Sequence, residues 1–196
     1  VRSFAKACPP ADILIANAGI QVVSDLKRTE DGIEETFGVN HVAHYLLLAM
    51  MLPKMRPFAR VILTISGSHD PDNTMARRFG FLGGLYTSFD RLVEGDVGIE
   101  DAERTLGMHR YATSQFFGYD PGLVPNTSLA REHRGALRHL YRLIGPLLSL
   151  HPDATTAKAS GASLAWMATT PKLQGKTGEH YEFTRKPVAI WSGADH

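Results

Sequence analysis

Three polar side chains follow or interrupt apolar segments at points where they could do chemistry. Asn17 and Ser66 each come directly after a short apolar run, and Asn40 lies inside a long apolar helical pattern. A serine hydroxyl can donate a hydrogen bond to an oxygen that gains negative charge, and an amide can donate and accept at once. Asparagine costs helix propensity, so Asn40 would be unusual as a core residue. Ser66 could instead cap a turn, and Ser68 competes with it for either role.

The segments that position these residues predict a strand, a helix and a second strand. Residues 13–15 and 61–65 are continuous apolar runs, which are typical of parallel strands buried on both faces. Between them, Asp31 and Glu34 have the spacing of a helix cap and its third residue, and an apolar helical pattern continues to Pro53. This order is typical of a parallel sheet, so the predicted fold class is α/β.

The other segments predict the elements around that sheet. In chain order they are the end of a helix over residues 1–7 before Pro9, a long loop with short helical turns over residues 69–107, a helix over residues 129–150 with a solvated arginine face, a helix from a capping Asp153 to residue 167, and a strand over residues 179–184. No internal repeat is evident.

Composition limits the class of protein. The 196 residues, 43% of them hydrophobic, are enough for the core of one domain. The chain has 21 Lys and Arg and 20 Asp and Glu, so its net charge is only +1. We therefore expect no nucleic acid partner, because binding to nucleic acid depends on many positive charges. The longest apolar stretch, residues 45–53, is shorter than the roughly 20 residues that span a bilayer. A single cysteine, Cys8, fits a reducing compartment, so we expect a soluble, cytoplasmic protein.

Five segments, in order, resemble the short-chain dehydrogenase/reductase superfamily. They are residues 11–19 (ADILIANAG), 38–48 (GVNHVAHYLLL), 60–69 (RVILTISGSH), 110–114 (RYATS) and 120–125 (DPGLVP). Each motif alone is weak, but five in this order over about 115 residues are specific. The second and third segments are most similar to the retinol dehydrogenase and protochlorophyllide reductase branch.

The resemblance implies a Rossmann-type, doubly wound parallel sheet and hydride transfer between NADP or NAD and an apolar alcohol or carbonyl. It implies that Tyr111 gives and takes the proton, that Ser66 polarises the substrate oxygen and that Asn40 anchors a water in a proton relay. The cofactor-binding residues that it implies are Asn17, Ala18, Gly19, Tyr111, Pro121, Gly122 and Val124. We therefore expect the strand-end residues, Tyr111 and Pro121 to open onto one crevice.

The sequence departs from that family pattern in three places. Gln115 stands where the family has a lysine, and an unassisted phenol has a pKa of about 10, so weak catalysis is expected. No Gly-rich phosphate turn follows a strand, and residues 80–84 do not supply one. Only eight residues separate Tyr111 from Asp120, which is too few for a crossover, so we predict a backbone break between residues 114 and 118.

These departures predict one incomplete domain over residues 1–196, the C-terminal part of a Rossmann-type oxidoreductase, with a helical substrate lid over residues 129–168. A noncatalytic nucleotide-sensing or scaffold protein of the same fold is the alternative. His41 and His44 have a spacing that could hold a metal, but no third ligand is evident, so no metal is predicted. The helix over residues 33–55 is apolar nearly all round, which predicts burial in a homodimer or by other parts of the chain.

Overall fold

A computed structural model describes most of the chain. The described residues are 1–23, 25–78, 80–81, 83–84, 87–98, 100, 107–108, 110–111, 121, 124 and 154–188. Among these residues, the helices with defined bounds are α1 (Arg2–Ala7), α2 (Glu35–Phe37), α3 (Ala43–Met51), α4 (Thr74–Arg78), α5 (Phe89–Glu94) and α6 (Ala157–Thr169), and the strands are β1 (Ile13–Ala16) and β2 (Arg60–Leu63). A π-helical segment (Gly38–Val42) joins α2 to α3, and 3₁₀ turns cover Leu52–Lys54, Gly67–His69 and Pro171–Leu173.

The two strands form a parallel sheet, as the order of strand, helix and strand predicts. Ile13 pairs with Arg60, and the register continues to Ala16 and Leu63. The Thr64 amide donates to the carbonyl of Ala16 at 2.9 Å, which extends the pairing by one residue. Both strands therefore end at the same edge of the sheet, and the predicted α/β class is confirmed.

The expectation that both strands are buried on both faces is wrong. Ile62 is 4% exposed, whereas Ile13 and Ile15 are 40% and 38% exposed, and Val61 is 36% exposed. Helix α6 packs against β2, so its apolar side chains cover Ile62 and leave the neighbouring strand uncovered on that face. The core cluster around Ile62 consists of Met167, Ala168 and Tyr181, with Leu164, Trp166, Leu173 and Phe183 packed against it.

The long apolar helix is interrupted, and its cap is not the predicted one. Glu34, rather than Asp31, caps α2, because its carboxylate accepts hydrogen bonds from the amides of Thr36 at 3.0 Å and Phe37 at 2.6 Å. Gly32 has a φ of 80°, a left-handed conformation that prevents a helix from running back to Asp31. The segment then passes from α2 through the π-helical segment into α3 before the turn at Leu52–Lys54.

Two cationic side chains cap helix C-termini and fasten the helices to the strand ends. The Lys54 ammonium donates to the carbonyls of Ala5, Lys6 and Cys8 at the end of α1. The Arg60 guanidinium donates to the carbonyls of Met167 and Thr170 at the end of α6. Positive charge is favourable at a helix C-terminus, where the last carbonyls lack partners.

Other elements match the sequence in part. The helix over residues 1–7 and the short turns within the described part of residues 69–107 are confirmed. Thr156 caps α6 by accepting from the Ala159 amide at 3.1 Å, whereas the predicted cap Asp153 lies outside the described residues. The predicted strand over residues 179–184 is wrong, because Tyr181 makes only an isolated antiparallel bridge with Pro187. The predicted helix over residues 129–150 and the predicted break between residues 114 and 118 lie outside the described residues.

No helix in the described part of the chain is long and apolar enough to cross a membrane.

Candidate functional site

The loops after β1 and β2 begin at one edge of the sheet. Asn17, Ala18 and Gly19 follow β1 directly and are exposed, and Ser66 follows β2 by three residues and is half-buried. Because the strands are parallel and in register, these residues share the carboxyl edge. Ligands of open α/β sheets bind outside the carboxyl ends of the strands. Asn17 and Ser66 therefore follow the two strands at the same edge of the sheet.

Asn40 fastens the loop after β1 to the helix between the strands. Its Oδ1 accepts from the Ile20 amide at 2.8 Å, and its Nδ2 donates to the Ile20 carbonyl at 2.9 Å. The side chain is 8% exposed, so both hydrogen bonds lie out of bulk water. Gly19 packs against this amide, since a Cβ there would lie 3.6 Å from Asn40 Oδ1. The Asn40 amide thus holds the backbone that follows the exposed residues 17–19.

Asn40 lies in the π-helical segment. The Ala43 amide donates to the carbonyl of Gly38, five residues back, which widens the helix by one residue at this point. Single π-helical turns inside α-helices occur frequently at functional sites. Gly38 allows a close approach, because a Cβ there would lie 2.8 Å from Cγ2 of Thr29.

Ser66 caps the turn that follows β2. Its Oγ accepts from the Ser68 amide at 3.3 Å, so the capping role considered from the sequence is confirmed. An accepting hydroxyl keeps its own proton, which can be donated to a second oxygen. The turn is held from two sides, because His69 Nδ1 donates to the Ser66 carbonyl at 2.8 Å and Asn73 Nδ2 donates to the Gly67 carbonyl at 3.1 Å.

Tyr111 is buried and packs against Phe81. It is 6% exposed, and its ring lies 5.8 Å, centroid to centroid, from the ring of Phe81. Gly107, one helical turn earlier, touches the loop after β1, because a Cβ there would lie 2.5 Å from Val23 Cα and 2.7 Å from the Val22 carbonyl oxygen. Only glycine permits this approach.

Phe81, which contacts Tyr111, belongs to the segment that follows the Ser66 turn, and this segment is hydrogen-bonded to that turn. The Phe81 amide donates to the carbonyl of Ala76 in α4 at 3.0 Å, and the Gly84 amide donates to the His69 carbonyl at 2.8 Å. Tyr111 therefore contacts a segment that is hydrogen-bonded to the turn at Gly67–His69. Pro121 and Val124 are half-buried, whereas Gly122 and Gln115 lie outside the described residues. The common crevice for Asn17, Ser66, Tyr111 and Pro121 stays a prediction.

Several buried polar atoms around this edge were missed from the sequence. Gln21 Nε2, Thr64 Oγ1, Ser68 Oγ and His180 Nδ1 have no hydrogen-bond partner among the described residues. Buried polar groups are nearly always paired, and unpaired ones concentrate where function requires them. Three of these residues were missed from the sequence, whereas Ser68 was named there as a competitor of Ser66.

The buried His180 and the half-buried His41 and His44 have pKa values below the ordinary value of 6.5. Burial lowers the pKa of His180, and the neighbouring His69 lowers it further. Burial also lowers the pKa of His41 and of His44, although a hydrogen bond with the Asn40 backbone opposes the effect at His44. His41 stacks on Phe37 with ring centroids 5.1 Å apart and planes 8° apart. These rings are therefore held as neutral, packed side chains.

Comparisons with known proteins agree with this geometry. No family model matches the chain. Oat (Avena sativa) protochlorophyllide reductase is 26% identical over 222 residues, which cover 97% of this chain and 70% of the reductase. Human polyprenol dehydrogenase is 29% identical over 198 residues, which cover 95% of this chain and 56% of the dehydrogenase. The resemblance to the short-chain dehydrogenase/reductase superfamily is confirmed. The curated relatives are oxidoreductases by name.

Two solved structures share the fold of this chain. The angucycline C-6 ketoreductase LanV with bound NADP superposes with a TM-score of 0.52 at 17% identity, over 93% of this chain and 65% of that one. A protein from Mycobacterium paratuberculosis gives a TM-score of 0.52 at 20% identity, over 96% of this chain and 62% of that one. The Rossmann-type α/β fold is therefore confirmed. The chain spans little more than half the length of the human relative.

Proposed function

We propose that the protein is an NAD(P)-dependent oxidoreductase that interconverts an alcohol and a carbonyl. The observation that carries this proposal is the double hydrogen bond between Asn40 and Ile20, at 2.8 and 2.9 Å. It fixes the loop after β1 at the edge where Ser66 follows β2, and Gly107, one helical turn before Tyr111, touches Val22 and Val23 of the same loop. A hydroxyl and an exposed loop at one sheet edge, with a phenol four residues after a contact to that loop, suit reduction of a bound carbonyl.

The cofactor in this proposal is NADP or NAD, held by the exposed Asn17, Ala18 and Gly19 together with Tyr111, Pro121, Gly122 and Val124. The edge fits such a group, because the hydroxyls of Thr64 and Ser68 are buried there without a partner in the described part of the chain. When bound, the nicotinamide supplies the hydride. NADP is favoured by the structural relative that contains it.

The chain's own residues then handle the substrate oxygen. Ser66 donates its hydroxyl proton in a hydrogen bond to that oxygen, while its Oγ continues to accept from Ser68. The Tyr111 phenol transfers a proton to the same oxygen in reduction and takes one in oxidation. Asn40 keeps the loop after β1 in place and belongs to the proposed relay that returns the proton to water.

The substrate class that we propose is an apolar alcohol or carbonyl. Two relatives carry the names protochlorophyllide reductase and polyprenol dehydrogenase, and both names specify large, largely apolar substrates. Residues 129–168 are the substrate lid that we propose from the sequence; of this range, α6 packs against β2 around Ile62, so the lid in this proposal consists of the residues before α6. A polyprenol-like chain is the simplest member of the class to test.

The experiment uses the full-length polypeptide with NADPH or NADH and farnesal, a short isoprenoid aldehyde. We expect oxidation of the nicotinamide with farnesal, and we expect Tyr111→Phe to lower kcat by about 100-fold or more without weakening cofactor binding. Tyr45→Phe is the matched control, because Tyr45 is 71% exposed and loses the same hydroxyl. Full activity of Tyr111→Phe would contradict the proposed role of the phenol.

A noncatalytic nucleotide-sensing protein is the second candidate, and Gln115 favours it, because the family's lysine is absent from that position. It predicts cofactor binding without turnover of farnesal or of its alcohol. Gln115→Lys separates the two candidates. If residue 115 follows Tyr111 in the helix, the lysine raises turnover in an enzyme, whereas a sensing protein stays inactive.

Homodimerisation and a cytoplasmic location complete the proposal. Tyr45 and Leu52 are 71% and 55% exposed, and Ala49 between them is exposed, so α3 and the following turn present an uncovered stripe. This stripe could meet itself across a twofold axis. A dimeric mass in light scattering at micromolar concentration supports the dimer, and a monomeric mass contradicts it.

Cell fractionation tests the location, since a wheat relative is named as chloroplastic.

A further inference from the structure

The turn between α3 and β2 breaks a local rule of backbone conformation. The Ala59 amide donates to the Arg56 carbonyl at 3.0 Å and closes a four-residue turn with Pro57 and Phe58 at its centre. Proline holds φ at about −65°, and Phe58 has a φ of 62°. These signs define a type II turn, whose third residue is normally glycine or asparagine. A bulky aromatic residue at that position is a conformational outlier.

Burial of the Phe58 ring does not compensate for this backbone strain. It is 92% exposed, more than the other large apolar side chains in the described residues. The turn is held at both ends, because the Arg56 amide donates to the Ala11 carbonyl at 3.2 Å and the Arg60 amide donates to the Asp12 carbonyl at 2.8 Å. The aromatic ring is thus presented to solvent on a fixed backbone. Departures from local rules without a structural gain are expected at functional positions.

The surface around Phe58 is strongly cationic. Residues 54–60, which we name the basic turn, lie along residues 5–12 through the hydrogen bonds of Lys54 and of the Arg56 and Arg60 amides. Residues 1–12 and 54–60 contain five cationic side chains and one anionic side chain, whereas the whole chain has a net charge of only +1. The cations are Arg2, Lys6, Lys54, Arg56 and Arg60, and the acid is Asp12.

We propose that the basic turn docks the protein on an anionic lipid surface, with Phe58 inserted among the acyl chains and with Lys6 and Arg56 facing phosphate groups, while Lys54 and Arg60 remain bound to the helix ends. An apolar residue flanked by Lys and Arg is the pattern that binds such surfaces. The Arg56–Asp12 ion pair is exposed at both side chains, so Arg56 can exchange Asp12 for a lipid phosphate at little cost. A stable protein interface buries about 800 Å² on each partner, and a single projecting ring does not provide that area.

Docking leaves the candidate site facing away from the lipid. The basic turn precedes β2 and contacts the residues before β1, so it lies at the amino edge of the sheet, opposite Asn17 and Ser66. The inference is therefore independent of the proposed oxidoreductase activity. Substitutions in the turn are expected to leave turnover of farnesal unchanged.

The test is flotation of the full-length polypeptide with phosphatidylcholine vesicles, with and without phosphatidylserine. We expect binding only to vesicles with phosphatidylserine, and we expect added salt to weaken it. Phe58→Asn, which suits the turn, should weaken binding by roughly tenfold. The same variant should keep or raise Tm. Phe58→Trp should retain binding, and Tyr45→Asn controls for the loss of an exposed aromatic ring elsewhere.

Equal binding of Phe58→Asn and the unsubstituted protein would overturn the proposal, as would equal binding to vesicles without phosphatidylserine. Light scattering separates lipid from protein partners. The unsubstituted protein could have a dimeric mass and Phe58→Asn a monomeric mass, with no vesicle binding by either. That result would assign Phe58 to self-association and would also overturn the proposal. Lys6→Gln combined with Arg56→Gln should weaken vesicle binding while leaving the dimer test unchanged.

Discussion

At the scale of single residues, hydrogen bonding decides what each polar side chain of the site can do. The amide of Asn40 is engaged on both sides by the Ile20 backbone, so its side chain acts as a fastening. Ser66 accepts from Ser68 and keeps a proton to donate. Tyr111 is buried and packs against Phe81. The three residues therefore divide into one that holds the loop and two that can act on a substrate oxygen.

Loss of the Asn40 amide is expected to destabilise the fold. Asn40→Leu leaves the Ile20 amide and carbonyl without their partner, which should lower the free energy of unfolding by about 2–3 kcal/mol. Asn40→Asp keeps an acceptor for the amide but places a charge beside the carbonyl, so it should also destabilise. Asn17→Ala is the matched control, because Asn17 is exposed. Urea unfolding measures the difference, and equal stability of Asn40→Leu and Asn17→Ala would contradict the fastening role.

At the scale of elements, charged side chains at helix ends set where the helices begin and end. Glu34 is 1% exposed and closes the N-terminus of α2, while Lys54 and Arg60 close the C-termini of α1 and α6. The signs of these charges complement the partial charges of the helix ends. Each cap also joins separate segments, so helix ends and strand ends are positioned together.

Removal of the Glu34 carboxylate tests this cap. Glu34→Ala should lower the free energy of unfolding by about 1–2 kcal/mol, because the Thr36 and Phe37 amides lose their acceptor. Glu34→Gln should cost less, since one side-chain oxygen can still accept. Glu35→Ala, at the next position and without a capping bond among the described contacts, is the control. Thermal unfolding measures the Tm of each variant. A lower Tm for Glu35→Ala than for Glu34→Ala would contradict the assignment of Glu34 as the cap.

At the scale of the whole molecule, buried histidines link folding to pH. His180, His44 and His41 all have pKa values lowered from 6.5 by burial. His180 lies in the segment that covers the core beside α6, and it faces His69 next to the Ser66 turn. Protonation of these rings favours the unfolded chain, which hydrates the charge.

We therefore expect stability to fall on acidification. Well above pH 6.5 the rings are neutral in the unfolded chain and, because their pKa values are lowered on folding, in the folded chain as well, so no stability is lost through them. As the pH falls below that value, the unfolded chain takes up protons first, and stability decreases until the folded rings also titrate. Tm measured from about pH 7.5 down to about pH 5 records this loss. His180→Asn, which does not titrate, should reduce the slope, and an unchanged slope would remove His180 from the explanation.

The sequence alone determined the features that depend on local patterns. The apolar runs located both strands, Pro9 marked the end of α1, and five ordered motifs indicated the resemblance to the superfamily and proposed residues 17–19, 40, 66 and 111 as candidates. These features follow from side-chain periodicity and backbone restriction, which act within a few residues. The choice of Asp31 as helix cap failed, because the left-handed Gly32 and the buried position of Glu34 depend on contacts outside that segment.

Only the tertiary structure decided which distant residues meet. The bond from Asn40 to Ile20 spans 20 residues and the bond from Arg60 to Met167 spans 107, and no local pattern encodes either. The exposure of Ile13 and Ile15 depends on where α6 packs, and the exposure of Phe58 depends on a turn pinned to residues 11 and 12. Burial is a property of the assembled layers, because a side chain is covered by whatever element lies above it. The same apolar residue types therefore form the core at Ile62 and a surface at Ile13.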